Sequence, residues 1–178
     1  MLIKTTVPTQ WDEVQEIYRE AFPKSEQKPF RSFKKAVTSG RARLLIAEEE
    51  GMVLGFLLAF PYGNLVMVDY LAVSNQIRSK GTGTKLLQAV LEMFPGKRVA
   101  LLIERLDDAA ENREQRIARR RFYERNGFSS DGVFLKVGEG EMELMRYGGA
   151  IDAGEYLELQ KYSMGRLFYW LSGTKRIP

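Results

Sequence analysis

A basic loop with two glycines lies between residues 77 and 87, where the sequence reads IRSKGTGTKLL. Gly81 and Gly83 follow a strand-like apolar run and precede a helix-like one, and Arg78 and Lys80 add positive charge beside them. Glycine lets a backbone approach a ligand closely, and a helix that begins here presents unpaired N–H groups and a positive dipole end. The pattern favours a phosphate-binding loop, although close packing of a helix on a sheet would also explain both glycines.

Two common phosphate motifs do not fit this loop. The dinucleotide fingerprint G-x-G-x-x-G needs a glycine where Leu86 stands, and the Walker loop needs a lysine where Thr84 stands. What remains is a strand, a short basic loop and a helix whose first turn is rich in glycine and threonine. Such a helix start would hold a pyrophosphate without a metal ion.

The sequence contains no histidine and no cysteine. This absence excludes catalysis by Ser-His-Asp or Cys-His groups, thiolate zinc sites and disulfide bonds. Any proton transfer must therefore use Asp, Glu, Tyr, Lys, a chain terminus or water.

The size and charge of the chain narrow the possible structural and functional classes of protein further. A length of 178 residues suits one domain with a sizeable core, and the net charge of +4 is compatible with an anionic ligand. No apolar run reaches 18 residues, and the opening Met1–Lys4 is too short for a signal peptide. A membrane partner is not expected, and the cytoplasm is the expected location.

Apolar periodicity predicts a mixed order of strands and helices. Predicted strands cover residues 2–6, 65–73, 98–104, 132–137 and 142–147. Two more strands lie within residues 43–60 and are joined by a turn at Glu50-Gly51. Predicted helices cover about 11–22, 30–37, 81–94 and 110–125, the last with a stripe of Ile117, Ala118 and Phe122. One terminal helix follows, with Asp152 and Glu155 as its capping box. This order predicts an α/β or α+β fold.

Two stretches together resemble the motifs of one family. Residues 71–87, LAVSNQIRSKGTGTKLL, resemble the acetyl-coenzyme A binding motif of the GNAT N-acetyltransferases, a strand, then R/Q-x-x-G-x-G/A, then a helix. Arg78, Gly81 and Gly83 fill that pattern. Residues 120–128, RRFYERNGF, resemble the second family motif, and the two motifs lie one helix and one strand apart, as in the family.

The resemblance implies a fold and a domain organisation. It covers roughly residues 1–147 and implies a mixed, mostly antiparallel central sheet flanked by helices, with splayed central strands. Residues 1–149 would form the acetyltransferase domain, and residues 150–178 a helical extension packed on the same domain.

The resemblance also implies where acetyl-coenzyme A would bind, without a metal. The backbone of Leu71, Ala72 and Val73 would pair with the pantetheine arm. The family often has an asparagine that binds the pantetheine, and Arg116 stands at that position here. Either Asn112 is expected to take over this role, or Arg116 is expected to reach the coenzyme phosphates. The N–H groups that would hold the pyrophosphate belong to Arg78, Ser79, Lys80, Gly81, Thr82, Gly83 and Thr84.

The implied reaction is direct attack of a primary amine on the thioester. Tyr123, at the family's tyrosine position, would donate a proton to the departing thiolate, since a phenol of pKa ~10 is protonated at neutral pH. Glu104, at the end of an apolar strand, is the candidate base, with Asp69, Glu26 and water as alternatives. A core role for the Tyr123 ring and a surface ion pair of Glu104 with Arg98 or Arg105 remain open.

Other functional classes remain open beside the enzyme. A non-catalytic module of the same fold would bind coenzyme A as a sensor or scaffold. Arg113, Arg116 and Arg120 lie at helical spacing. They are interleaved with Glu111, Glu114 and Glu124, which is typical of a solvated helix face, so nucleic acid is not expected as a partner. The acceptor is open between small molecules and peptide amines. The aromatic run LFYW near the C-terminus would cover the core or contact a second copy.

Overall fold

The computed structural model describes residues 1–4, 9–75 and 81–178. Over these residues the helices are α1 (Trp11–Ala21), α2 (Phe30–Thr38), α3 (Thr82–Met93), α4 (Arg113–Arg125), α5 (Ala153–Met164) and α6 (Arg166–Ser172). The strands are β1 (Leu2–Lys4), β2 (Arg43–Glu49), β3 (Met52–Tyr62), β4 (Leu65–Val73), β5 (Arg98–Glu104), β6 (Ser129–Val137), β7 (Gly140–Tyr147) and β8 (Lys175–Ile177).

The eight strands form a mixed, mostly antiparallel sheet flanked by helices, which confirms the predicted fold class. The chain divides into two compact units. The first combines Met1–Pro61 with Val68–Pro95, and the second combines Tyr62–Met67 with Gly96–Pro178. Residues 65–67 of β4 therefore belong to the second unit, and residues 68–73 belong to the first.

In the first unit, β1, β2, β3 and the end of β4 are neighbours in that order. The β2–β3 hairpin turns at Glu50 and Gly51, as predicted, and its register shifts at Ala47 and Glu48. Helix α3 packs against β1 and β2. Helices α1 and α2 bury an aromatic cluster, in which the Tyr18 ring contacts Phe33, Phe56 and Tyr70 at centroid distances of 5.0–6.4 Å.

In the second unit, the first residues of β4 run parallel to β5. The pairing joins Leu65–Met67 with Arg98–Ala100, the first three residues of each strand. Antiparallel pairing then continues from β5 to β7, β6 and β8. Helix α5 begins at the predicted capping box of Asp152 and Glu155.

Two sequence predictions about helices were wrong. The C-terminal segment is not one helix, because Gly165 separates α5 from α6 and the chain then adds β8 at the edge of the sheet. In α4, Ala118 is exposed and Tyr123 is the buried residue, because the helix turns that ring toward the core. Within the described ranges, no helix is long and apolar enough to cross a bilayer.

Candidate active site

The end of β4, which the resemblance assigns to pantetheine, lies unusually close to β3. A side chain on Gly55 would place its first carbon 2.6 Å from the Ala72 carbonyl oxygen and 3.1 Å from Val73 Cα. The Ser74 N–H donates to the Leu54 carbonyl oxygen at 2.9 Å just beyond this contact. Glycine at position 55 therefore sets where the last residues of β4 run.

The start of α3 has the features of an anion site. Gly81 caps the helix in the left-handed conformation, with φ +69°, and no atom of the described residues beyond its chain neighbours lies within 4 Å of where its Cβ would stand. Thr82 is only 2% exposed, and its hydroxyl oxygen is buried without a hydrogen-bond partner among the described residues. Gly83 and Thr84 complete the first turn, and both are partly exposed. A buried hydroxyl without a partner at a helix N-terminus is suited to donate to a bound anion.

Three of the predicted phosphate ligands, Arg78, Ser79 and Lys80, lie outside the described residues. Their assignment stays a prediction from the resemblance.

The end of β5 and the start of α4 form a charged network around Glu104. Its carboxylate accepts hydrogen bonds from Asn112 Nδ2 at 2.9 Å and from Arg119 Nη1 at 2.6 Å. Asn112 Oδ1 accepts from Arg116 Nε at 2.7 Å, and Arg116 Nη1 also donates to the Arg105 carbonyl oxygen at 2.8 Å. The predicted base is thus tied to α4, and its predicted partners, Arg98 and Arg105, pair elsewhere.

The network also occupies Asn112, the predicted pantetheine ligand. Its side chain does not cap α4, because the amide bridges Glu104 and Arg116 instead. A role for this amide in coenzyme binding would require one of these bonds to be exchanged, and it stays a prediction.

Tyr123 lies one turn of α4 beyond Arg119 and is 8% exposed. Its ring packs against Phe122 and Phe128 at centroid distances of 5.1 and 5.9 Å. Burial raises the pKa of Tyr123 to about 12, and the positive charge of Arg119 opposes that rise. Within the part of the chain that the structure describes, its hydroxyl has no hydrogen-bond partner. The residue is therefore a protonated phenol whose ring is fixed and whose donor is unused.

The other candidate bases lie in the first unit. Asp69, whose side chain is 10% exposed, binds the Lys28 ammonium through both oxygens, at 2.9 and 2.7 Å. Glu26 is exposed on the α1–α2 loop, where its carbonyl oxygen accepts from the Tyr70 hydroxyl at 2.9 Å. As to metals, no cluster of three or more Asp or Glu side chains suited to an ion occurs in residues 1–4, 9–75 and 81–178.

The sequence model of the acetyltransferase (GNAT) domain matches residues 40–130, more than half of the chain. The chain belongs to the GNAT acetyltransferase family. The match contains β3, β4, the start of α3 and both Glu104 and Tyr123. No curated protein gives a match to this sequence.

Solved structures of GNAT proteins share the fold. A GNAT-family protein from Bacteroides thetaiotaomicron has a TM-score of 0.73 at 19% identity, over 95% of this chain and 98% of that one. An aminoglycoside 6'-N-acetyltransferase complexed with coenzyme A has a TM-score of 0.66 at 17% identity, over 82% and 96%. The ribosomal-protein-alanine N-acetyltransferase from Brucella melitensis has a TM-score of 0.63 at 19% identity, over 82% and 98%.

Three structural features around the candidate residues were missed by sequence reasoning. Gly55 carried a local signal, because a glycine inside an apolar strand indicates a close backbone approach. Arg119 and the pairing of Lys28 with Asp69 carried none. Each depends on which side of a helix or loop faces a distant strand, and charged residues alone do not show that.

Proposed function

We propose that this GNAT protein is an acetyl-coenzyme A dependent N-acetyltransferase that acts on a primary amine by direct attack in a ternary complex. The state of Tyr123 supports the proposal most strongly. A phenol with a pKa of about 12 is protonated at neutral pH, so its hydroxyl can donate a hydrogen bond to the sulfur as negative charge develops there. The raised pKa also makes it a weaker acid than an ordinary tyrosine.

The residues present fit acetyl-coenzyme A, which supplies the thioester. Helix α3 offers its free N–H groups, the Gly81 conformation and the Thr82 hydroxyl to the pyrophosphate. The backbone of Leu71, Ala72 and Val73 is proposed to pair with the pantetheine arm. Helix-start N–H groups need no bridging cation, so we expect binding without a metal.

Acetyl transfer to an amine has three chemical requirements. An alkyl amine of pKa ~10 must lose its proton, an oxyanion must be stabilised, and a thiolate of pKa ~8.5 must leave. A backbone N–H near Val73 is proposed for the oxyanion. Tyr123 is proposed as the donor to the thiolate. Its raised pKa keeps it protonated over the working pH range.

Glu104 is proposed as the base, acting directly or through a water. Its side chain is 17% exposed, and Arg119 and Asn112 hold it at the end of β5. The same bonds also suit a positioning role, in which the carboxylate orients α4 and with it Tyr123.

A pH profile separates these two roles of Glu104. We expect Glu104→Gln to lower kcat by about tenfold to a hundredfold, with coenzyme A affinity nearly unchanged. If Glu104 removes the proton, the deficit shrinks as pH rises, because more of the amine is then already deprotonated. If Glu104 only positions α4, the loss in kcat is the same at every pH. Full activity of Glu104→Gln would move the base to Asp69, Glu26 or water.

Glu141→Gln is the matched control for that experiment. Glu141 is a strand carboxylate of the same unit, and it pairs with Arg105 at 3.0 Å. Loss of an exposed ion pair of this kind costs little stability. We therefore expect the control to keep both its activity and its pH profile.

Thr82→Val tests the coenzyme site through two opposite effects. Replacing an unpaired buried hydroxyl by a methyl group of the same shape should leave the free energy of unfolding unchanged or raise it by about 1 kcal/mol. Affinity for coenzyme A should fall by about fivefold, because a donor to the phosphate is lost. Chemical denaturation and calorimetric titration measure the two quantities. Undiminished affinity would show that the hydroxyl does not contact the ligand.

A non-catalytic module that binds coenzyme A is the second candidate function. It needs the α3 start but neither Tyr123 nor a base. Thiol release from acetyl-coenzyme A over a panel of amines distinguishes the two, and the panel should contain amino acids, aminoglycosides, polyamines, peptide N-termini and lysine peptides. An aminoglycoside enzyme and a ribosomal-protein enzyme both share this fold, so the fold does not identify the acceptor. Amine-dependent release would support the enzyme, and binding without release on any amine would support the module.

A further inference from the structure

Helix α6 carries its apolar residues on the outside. Leu167, Phe168, Trp170 and Leu171 are 66%, 59%, 75% and 64% exposed. Tyr169 faces the protein instead, and its hydroxyl donates to the Thr174 carbonyl oxygen at 3.3 Å. A helix that covers a core has the opposite arrangement. These four residues, named here the α6 patch, form an apolar surface of the kind that marks an interaction site.

Contacts on the inner side hold the α6 patch in this orientation. The Ser172 carbonyl oxygen accepts from the Gly138 N–H at 3.0 Å, which ties the end of α6 to the β6–β7 turn. The Lys161 ammonium of α5 lies 5.3 Å from the centre of the Tyr169 ring. The outward face is therefore the result of specific bonds on the other face of α6.

Three cations lie close in sequence to the α6 patch, Arg166 at the start of α6 and Lys175 and Arg176 in β8, which follows it. Arg166, Lys175 and Arg176 are exposed, and none of them pairs with a carboxylate in the described part of the chain. The other cations of this region are already paired, Lys161 with Glu158 at 2.5 Å and Lys136 with Glu139 at 3.9 Å. Among the described residues these three cations have no carboxylate partner, so they are available to an anionic partner.

We propose that the α6 patch and its three cations bind the surface of a membrane that contains anionic phospholipid. The apolar side chains would enter the boundary between headgroups and acyl chains, and the cations would contact the phosphates. A helix of seven residues lies on a bilayer and does not cross it. This surface is separate from the residues proposed for catalysis, so the proposal does not depend on the acetyltransferase reaction.

Two other occupants fit the surface less well. A two-fold contact with a second copy would bring the like charges around both patches together, at an energetic cost. Single-stranded nucleic acid would use the aromatic rings and the cations, but it would leave Leu167 and Leu171 without apolar cover. Exposed leucines beside aromatic and basic residues are typical of helices at a membrane interface.

Tryptophan fluorescence of the full chain provides the first test. The chain has two tryptophans, and Trp11→Phe removes the one that packs against Phe30 and Phe33. Trp170 is then the only reporter. We expect its emission to shift to the blue with vesicles of phosphatidylcholine and phosphatidylglycerol, to shift little with phosphatidylcholine alone, and to return at high salt. No shift, or an equal shift with both vesicles, would overturn the proposal.

Vesicle flotation of variants provides the second test. We expect Phe168→Ser with Leu171→Ser, and separately Arg166→Glu with Arg176→Glu, each to lower partitioning by about tenfold or more. The apolar control changes Leu2 and Met52 to serine, two exposed residues of β1 and β3. The charge control changes Arg31 and Arg121 to glutamate, two exposed arginines elsewhere. Both controls should bind like the parent, and a control that loses as much would contradict the site.

Two further results would assign the α6 patch to another occupant. A dimer seen by light scattering without vesicles, and lost in Phe168→Ser with Leu171→Ser, would show that a second copy covers it. Quenching of Trp170 by a single-stranded oligonucleotide, without binding to anionic vesicles, would show a nucleic-acid surface. Either result would overturn the membrane proposal.

Discussion

Tyr123→Phe is expected to lower kcat by about a hundredfold while affinity for acetyl-coenzyme A stays nearly unchanged, because loss of a positioned proton donor commonly has that size. The phenylalanine keeps the ring contacts with Phe122 and Phe128, and it removes only a hydroxyl without a described partner. The free energy of unfolding should therefore stay the same or rise slightly. A loss confined to turnover indicates an interaction made mainly in the transition state.

Tyr147→Phe is the matched control for this variant. Tyr147 also belongs to the second unit, and its ring contacts the same Phe128 at 5.6 Å. Thiol release with a true acceptor should be normal in this control. Equal losses in both variants would indicate a general effect of hydroxyl removal on packing, and full activity of Tyr123→Phe would show that the thiolate leaves without this donor.

The raised pKa of Tyr123 also predicts a pH dependence. Because its folded-state pKa of about 12 is above the ordinary value of 10, its contribution to stability is fully present below pH ~10 and is lost as pH rises toward 12. Ionisation of Tyr123 therefore cannot cause a fall in activity below about pH 10. We expect the rate to rise with pH through deprotonation of the amine and then to level off.

The features of the candidate site that depend on residues close in sequence were predictable. The Gly81 turn, the α3 start and the position of Tyr123 before Asn126-Gly127 each depend on residues close in sequence. Local spacing carries that information, because a strand, a turn and a helix cap each need particular residues at fixed offsets. The same holds for the Asp152 capping box.

The parts that depend on distant packing were not predictable in this way. Glu104 was the predicted base, with a surface ion pair to Arg98 or Arg105 left open as the alternative. It binds Arg119 and neither of those arginines, because α4 turns the Arg119 side chain toward the end of β5. Asp69 lies far along the chain from Lys28, to which it is bonded. The outward face of α6 also runs against the usual assumption that apolar helix residues face the core.

Gly81→Val is expected to weaken coenzyme A binding by tenfold or more, an effect of about 1.4 kcal/mol or larger. Gly81 has φ +69°, and among the described residues beyond its chain neighbours no atom lies within 4 Å of the position where a Cβ would stand. In the free protein the change therefore costs only backbone strain, about 1–2 kcal/mol. The valine side chain would fill the open space through which a phosphate approaches the N–H groups of the α3 start.

Gly40→Val is the matched control for this prediction, because it separates the effect of backbone strain from the effect of blocking the approach of the ligand. Gly40 lies in the same unit with φ +75°, and the space around it is equally open. Both variants should lose similar stability in denaturant titrations, since both place a β-branched residue in the left-handed region. Only Gly81→Val should lose affinity in calorimetric titration with coenzyme A. If the two variants bind coenzyme A equally well, the glycines serve close packing of the loop, and the assignment of the phosphate site to the α3 start is wrong.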